Sequence, residues 1–115
     1  MQIKRLQPGP RMSAAVSYNG FVFVSGQVAD DTAATVAGQT EQILKKIDKL
    51  LEEAGTDKTK ILSANIWLAE AASFAEMNSV WDSWVPAGNT PARACVESKL
   101  AFPQDTVEIG VIAAV

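Results

Sequence analysis

The period at which apolar residues recur changes along this chain, and each change predicts an element. From Ser13 to Gly26, "SAAVSYNGFVFVSG" places short β-prone runs on either side of Asn19-Gly20. Both turn residues tolerate the positive φ of a type I′ turn, so the pattern predicts a hairpin. Upstream, Gln2 to Leu6 fits a short strand that "QPGP" should end. Beyond the hairpin the period lengthens. Val36, Ile43, Leu44, Ile47, Leu50, Leu51 and Ala54 recur at helical spacings, with Lys45, Lys46, Asp48, Lys49 and Glu52 filling the opposite face. That is an amphipathic helix, and Gly55 supplies its stop.

"ILSANIWLA", Ile61 to Ala69, reads as a strand covered on at least one face. Ser73 and Glu76 have the spacing of a capping box. Phe74, Met77, Val80, Trp81, Trp84 and Val85 then form a second helical stripe, ended by Pro86 and Gly88. The position of Trp81 and Trp84 in that stripe favours core packing over a stacking platform for bases or sugars. Two apolar strands close the chain within "TPARACVESKLAFPQDTVEIGVIAAV", joined by a loop containing Pro103. The order β-ββ-α-β-α-ββ predicts one α+β domain over residues 1–115, a single mixed sheet with two helices on one face. The other face also carries Phe, Val, Ile and Ala, and no third helix is available to cover it. Self-association into a closed ring of sheets is therefore expected.

Charge and composition narrow the chemistry. A net charge of −3 and a pI near 4.8 oppose binding to polyphosphate, and the densest basic run, "KTK" at Lys58 to Lys60, reads as a solvated turn. Nucleic acid is not an expected partner. A lone cysteine, Cys95, allows no intrachain disulfide and fits a reducing compartment. Met1 is followed by "QIKRLQPGP", which lacks the apolar stretch of a signal peptide, and no run approaches the roughly 20 apolar residues of a membrane span. A cytoplasmic protein with no membrane partner is expected. With no histidine in the chain, Ser-His and Cys-His nucleophile pairs are excluded, and so is the commonest ligand of catalytic zinc. No metal is expected, and chemistry must run on carboxylates, arginine, hydroxyls, backbone groups or water.

Strand alternation places Arg93, Cys95 and Glu97 on one face, and Glu108, Gly110 and Ile112 on one face of the last strand. If the closing strands pair as a hairpin, Arg93 stands opposite Glu108, with the connection centred between Leu100 and Ala101. Two readings are then open. One is a cross-strand salt bridge. The other is a site in which the Arg93 fork holds a small carboxylate and a partly desolvated Glu108 orients or deprotonates water. Cys95 reads as a small buried residue, because nothing obvious generates its thiolate. Ser25, ending "FVFVS", is either a strand-terminating hydroxyl or a ligand contact.

These segments resemble a known family. "TPARACVES…VEIGVIAAV" is similar to the C-terminal signature of the RidA/YjgF family, the reactive-intermediate (enamine/imine) deaminases: Pro-Ala-Arg, a Cys two beyond the Arg, and a Val-Glu-Ile strand after a Pro-containing loop. "FVSGQV" resembles the family's Ser-Gly-Gln element and "FAEMNSVWDSW" its Phe-x-x-Met/Val-Asn helix. The resemblance spans most of the chain in the right order. It implies the chorismate-mutase-like RidA fold and a homotrimer with a central barrel and clefts at the subunit interfaces. It implies hydrolysis of 2-enamine/2-imino acids to 2-keto acids and ammonia, without metal or organic cofactor. Carried over by position, Arg93 holds the substrate carboxylate and Glu108 positions or activates the attacking water. The backbone around Cys95 assists binding, and Ser25 and Asn78 line the cleft. Two departures mark a divergent subgroup. Met12 stands where the family commonly has a site tyrosine, and the loop "ADDTAAT" is shorter and more acidic than usual. The alternative to a deaminase is a non-catalytic module that binds small 2-keto carboxylates or regulates through them. The nuclease or translation-inhibitor activity attached to some relatives fits poorly with an acidic chain that has no basic groove.

Overall fold

The structure, a computed structural model, describes residues 2–115. Its strands are β1 (Lys4–Pro8), β2 (Ser13–Tyr18), β3 (Phe21–Gln27), β4 (Ile61–Leu68), β5 (Ala92–Glu97) and β6 (Val107–Ala114), and its helices are α1 (Val36–Glu53) and α2 (Phe74–Trp84). The strands form one mixed sheet in the order β1-β2-β3-β6-β4-β5, and both helices pack on it. Asn19 and Gly20 adopt φ of 50° and 82°, and Tyr18 pairs with Phe21 across the turn, as the hairpin reading predicts. Strand β1 begins at Lys4 rather than Gln2 and runs through Pro8, which pairs with Ser13. An edge strand accommodates a proline because a missing N–H on its outer side costs no ladder bond.

The closing strands do not pair with each other, contrary to the hairpin expectation. β5 lies parallel to β4, with Arg93 opposite Ala64, whereas β6 sits between β3 and β4 and is antiparallel to both. The crossover through α2 is the cause. A strand–helix–strand unit returns the chain in its original direction, so β5 takes the outer edge of β4. Residues 98–106 then carry the chain to the centre of the sheet. There β6, with Val107, Ile109, Gly110, Val111 and Ala113 all buried, has the near-continuous apolar character of a central strand.

Helix α1 is capped at Thr35, whose side chain accepts from Gly38 N at 3.1 Å, an interaction worth about 1 kcal/mol. It closes with Gly55 N donating to Glu52 O and Thr56 N donating to Leu51 O, the paired bonds of a Schellman stop. The predicted capping box on α2 does not form. Ser73 ends a short 3-10 turn at φ −81°, ψ 0°, outside the extended geometry that aims a capping hydroxyl, and makes no cap bond. Glu76 instead reaches across to accept from Ala37 N at 2.9 Å, in the first turn of α1. The stripe's last residue, Val85, lies just past the helix. The Lys58–Lys60 run is also a 3-10 turn. Lys58 Nζ donates to Trp84 O at 2.6 Å and lies 5.2 Å from the Trp84 ring, so it caps the C-terminal end of α2 instead of being merely solvated.

The core lies between helices and sheet. Ile43, Leu44, Ile47 and Leu51 of α1 and Met77 and Trp81 of α2 meet Val22, Val24, Ala64, Ile66, Leu68, Val107, Ile109, Val111 and Ala113. Gln39, also buried, fastens the loops around this core. Its Nε2 donates to the carbonyls of Thr32, Ala34 and Gln104, and its Oε1 accepts from Thr106 N at 3.0 Å. The approach to β6 is thereby tied to α1. On the sheet's other face Phe21, Phe23 and Val96 stay 42%, 46% and 52% exposed, and no described element covers them.

Candidate active site

Arg93 shares the side of the sheet on which Ala64 is buried, so its side chain projects towards the helices. There it meets one face of α2. Its Nη1 donates to Asn78 Oδ1 at 2.8 Å, and its guanidinium carbon lies 5.7 Å from the Phe74 ring and 5.2 Å from the Trp81 ring. Cys95 follows on the same side, half-buried against the core. Burial pushes its thiol up, and the positive charge of Arg93 offsets this only in part. A protonated thiol is a poor nucleophile, in keeping with the reading of Cys95 as a packing residue. Glu97, next on that side, accepts from Ala71 N at 2.8 Å and tethers the chain entering α2.

Glu108 lies opposite Trp67, on the side away from the helices. Burial pushes its carboxyl above the usual carboxylate range, and the negative charge of Asp105 pushes it further. The carboxylate rests against Gly26. A Cβ there would stand 2.1 Å from Glu108 Oε2 and 2.9 Å from its Cδ, so the glycine makes the space the carboxylate occupies. A register irregularity between Val24 and Gln27 brings this part of β3 alongside β6. Beside it, Ser25 Oγ donates to Ala14 O at 3.0 Å and accepts from Gln27 Nε2 at 3.1 Å. Met12, in the β1–β2 loop, is 58% exposed, and its carbonyl accepts from Gly9 N at 2.7 Å.

Of the sequence-expected residues, Arg93, Asn78 and Cys95 thus gather on α2 and β5, and Glu108 and Ser25 on β3 and β6. Within one chain the two groups face opposite sides of the sheet, so Arg93 and Glu108 form no cross-strand pair. Phe74, Trp81, Gly26 and Asp105 were not singled out from the sequence as site residues. The helical spacing of Phe74, Asn78 and Trp81 carried the signal for the first two. Among the described residues no group of three or more His, Cys, Asp or Glu side chains is arranged to hold a metal, and no helix is long and apolar enough to cross a membrane.

Comparison with known proteins agrees with this fold. The sequence profile of the family described as "Endoribonuclease L-PSP" matches residues 2–115. A RutC family protein of Escherichia coli K12, YoaB, is 40% identical over 115 residues, covering 100% of both chains. The crystal structure of a YjgF-family protein from Neisseria meningitidis superimposes with a TM-score of 0.96 at 48% identity, covering 99% of this chain and 95% of that one. A protein of the conserved Rid family from Yersinia pestis superimposes at 0.86 with 32% identity, over 94% and 90% of the two chains. With its whole described length matched in sequence and in fold, this chain belongs to the Endoribonuclease L-PSP family, beside its RutC, YjgF and Rid relatives.

Proposed function

We propose that this protein is a cofactor-independent hydrolase that converts reactive 2-enamine/2-imino acids to 2-keto acids and ammonia in clefts between the subunits of a homotrimer. The observation that carries the reading is that a chain of this family presents a guanidinium held by Asn78 on β5 and a half-buried carboxyl lodged against Gly26 on β6. Because the two project from opposite sides of the sheet, a small substrate touches both only if Arg93 comes from one copy and Glu108 from another. The exposed Phe21, Phe23 and Val96 supply an apolar face for that association.

Arg93 binds the substrate carboxylate through two parallel N–H groups, which fixes the imine carbon relative to Glu108. The iminium carbon is already electrophilic, so a placed water and one base suffice. Glu108 takes a proton as the water oxygen bonds to C2. The carbinolamine then collapses as the proton passes from Glu108 to nitrogen, ammonia leaves, and the C2 hydroxyl loses its proton to form the ketone. That hydroxyl proton passes to Glu108 and on to solvent, replacing the one that made the imine an iminium, so the balance is imine plus water to keto acid plus ammonia. Asn78 and Ser25 line the cleft, and Cys95 contributes backbone. Met12, in place of the family's tyrosine, offers substrate no hydroxyl.

The test is keto-acid and ammonia release from enzymatically generated dehydroalanine-type imines. Arg93→Ala should lose about 100-fold or more in kcat/KM, and Arg93→Lys should recover only part, because an ammonium lacks the two-pronged fork. Equal rates for wild type and Arg93→Ala would defeat the enzyme reading. Saturable, Arg93-dependent binding of 2-keto acids without turnover would make the protein a carboxylate-binding module instead. Sedimentation equilibrium showing only monomer would defeat the shared cleft.

A further inference from the structure

Arg93 lies exposed on an edge strand, where its same-side neighbour on that strand is the short Cys95. Helix α2 supplies the hold. Phe74 and Trp81 are two helical turns apart, about 10.5 Å along the axis. The guanidinium carbon lies 5.7 Å from the first ring and 5.2 Å from the second, so both rings are within cation–π reach of the one group. On the intervening turn Asn78 Oδ1 accepts a hydrogen bond from Nη1 at 2.8 Å. A guanidinium presents five N–H groups in one plane. With Nη1 engaged, the edge formed by Nε and Nη2 has no hydrogen-bond partner among the described residues, and it has the two-donor geometry that matches a carboxylate.

We propose that Phe74, Asn78 and Trp81 are positioning residues that lock the Arg93 guanidinium in a single orientation, presenting its Nε–Nη2 edge to the carboxylate of a small 2-keto or 2-imino acid. The proposal rests on the reading of Arg93 as the carboxylate anchor and adds what makes the anchor selective. A free arginine would sample many rotamers, and each binding event would have to select one. The clamp makes that selection during folding. It also divides labour along one helical face: Trp81, 5% exposed, belongs to the core and is fixed, whereas Phe74, 45% exposed, reaches the arginine from the solvent side. Phe74 can therefore be changed without opening the core.

The experiment combines two measurements on Phe74→Leu, Phe74→Tyr and Asn78→Ala. The first is the nitrogen-15 NMR signal of Arg93 Nε–H, which the rings should displace by ring current in wild type and which Phe74→Leu should return towards the free-arginine position. The second is titration with pyruvate and 2-ketobutyrate alongside imine hydrolysis. Phe74→Leu should weaken keto-acid binding about two- to fivefold, and Asn78→Ala about five- to tenfold. Both should raise KM by a larger factor than they lower kcat, because ground state and transition state share the same carboxylate contact. Phe74→Tyr, which keeps a ring, should lose less than Phe74→Leu. Wild-type binding that Phe74→Leu and Asn78→Ala leave unchanged, or an Arg93 signal indifferent to Phe74, would overturn the clamp and spare the carboxylate reading. Absence of any keto-acid binding by wild type would overturn that reading, and with it the role given to the clamp.

Discussion

Replacing Gly26 by alanine should separate catalysis from stability in this protein. The new methyl would stand 2.1 Å from Glu108 Oε2, 2.9 Å from Cδ and 3.2 Å from Cγ. A carbon and a carboxylate oxygen approach comfortably to about 3.3 Å, so the oxygen must retreat by roughly 1 Å. The displaced atoms are the free end of a flexible side chain, and rotating it away costs about 1 kcal/mol. The melting temperature should accordingly fall by only about 5 °C. Catalysis is less forgiving, since a misplacement of about 1 Å in a reacting group can lower the rate about 100-fold, equivalent to roughly 2.7 kcal/mol of barrier. Thermal melting and imine hydrolysis on the same preparation read both quantities. Activity within about threefold of wild type would show that the placement of Glu108 against Gly26 is not used. A fall in melting temperature beyond about 15 °C would show that the glycine serves the backbone rather than the carboxylate.

Glu108 and Gln39 give further measurable outcomes. Glu108 must be ionised to accept a proton from water, so kcat/KM should rise with pH through its raised pKa, and Asp105→Asn, by removing a neighbouring negative charge, should move that limb to lower pH. The same shift has a stability sign. With the folded pKa above the unfolded one, the folded chain holds more protons between the two values, and stability declines as pH rises across that window. Glu108→Gln should therefore melt higher than wild type at pH 7 and lack that decline. Gln39→Leu removes partners from the Thr106 amide and from carbonyls of Thr32, Ala34 and Gln104. It should cost about 3 kcal/mol in chemical denaturation, and a loss below about 1 kcal/mol would show that the loops hold themselves.

Element identity was legible in the sequence because it is set locally. The Asn19-Gly20 turn, the apolar stripe of α1 and the stop at Gly55 each declare themselves within a few residues. Pairing is not local. The spacing of Arg93 and Glu108 fits a hairpin well, but that arithmetic contains no term for α2, whose crossover carries β5 to the outer edge of β4 and leaves the sheet's centre to β6. The capping box failed for a related reason: Glu76 found an unsatisfied amide on α1 that no window around Ser73 reveals. Legible site residues were those with chemical character of their own, Arg93 and Glu108. Gly26 acts through the side chain it lacks, and Phe74 and Trp81 through rings already accounted for as packing.

The placement of Arg93 and Glu108 on opposite sides of one sheet has a consequence for heredity. In the proposed trimer each cleft draws one group from each of two neighbours, so loss of Arg93 and loss of Glu108 are lesions in different halves of a shared site. A ring containing at least one copy of each defective chain has one junction at which both native groups still meet. Refolding the two inactive proteins together in equal amounts, so that chains assort at random, should therefore restore about a quarter of wild-type activity, and two null alleles at a single gene would complement each other.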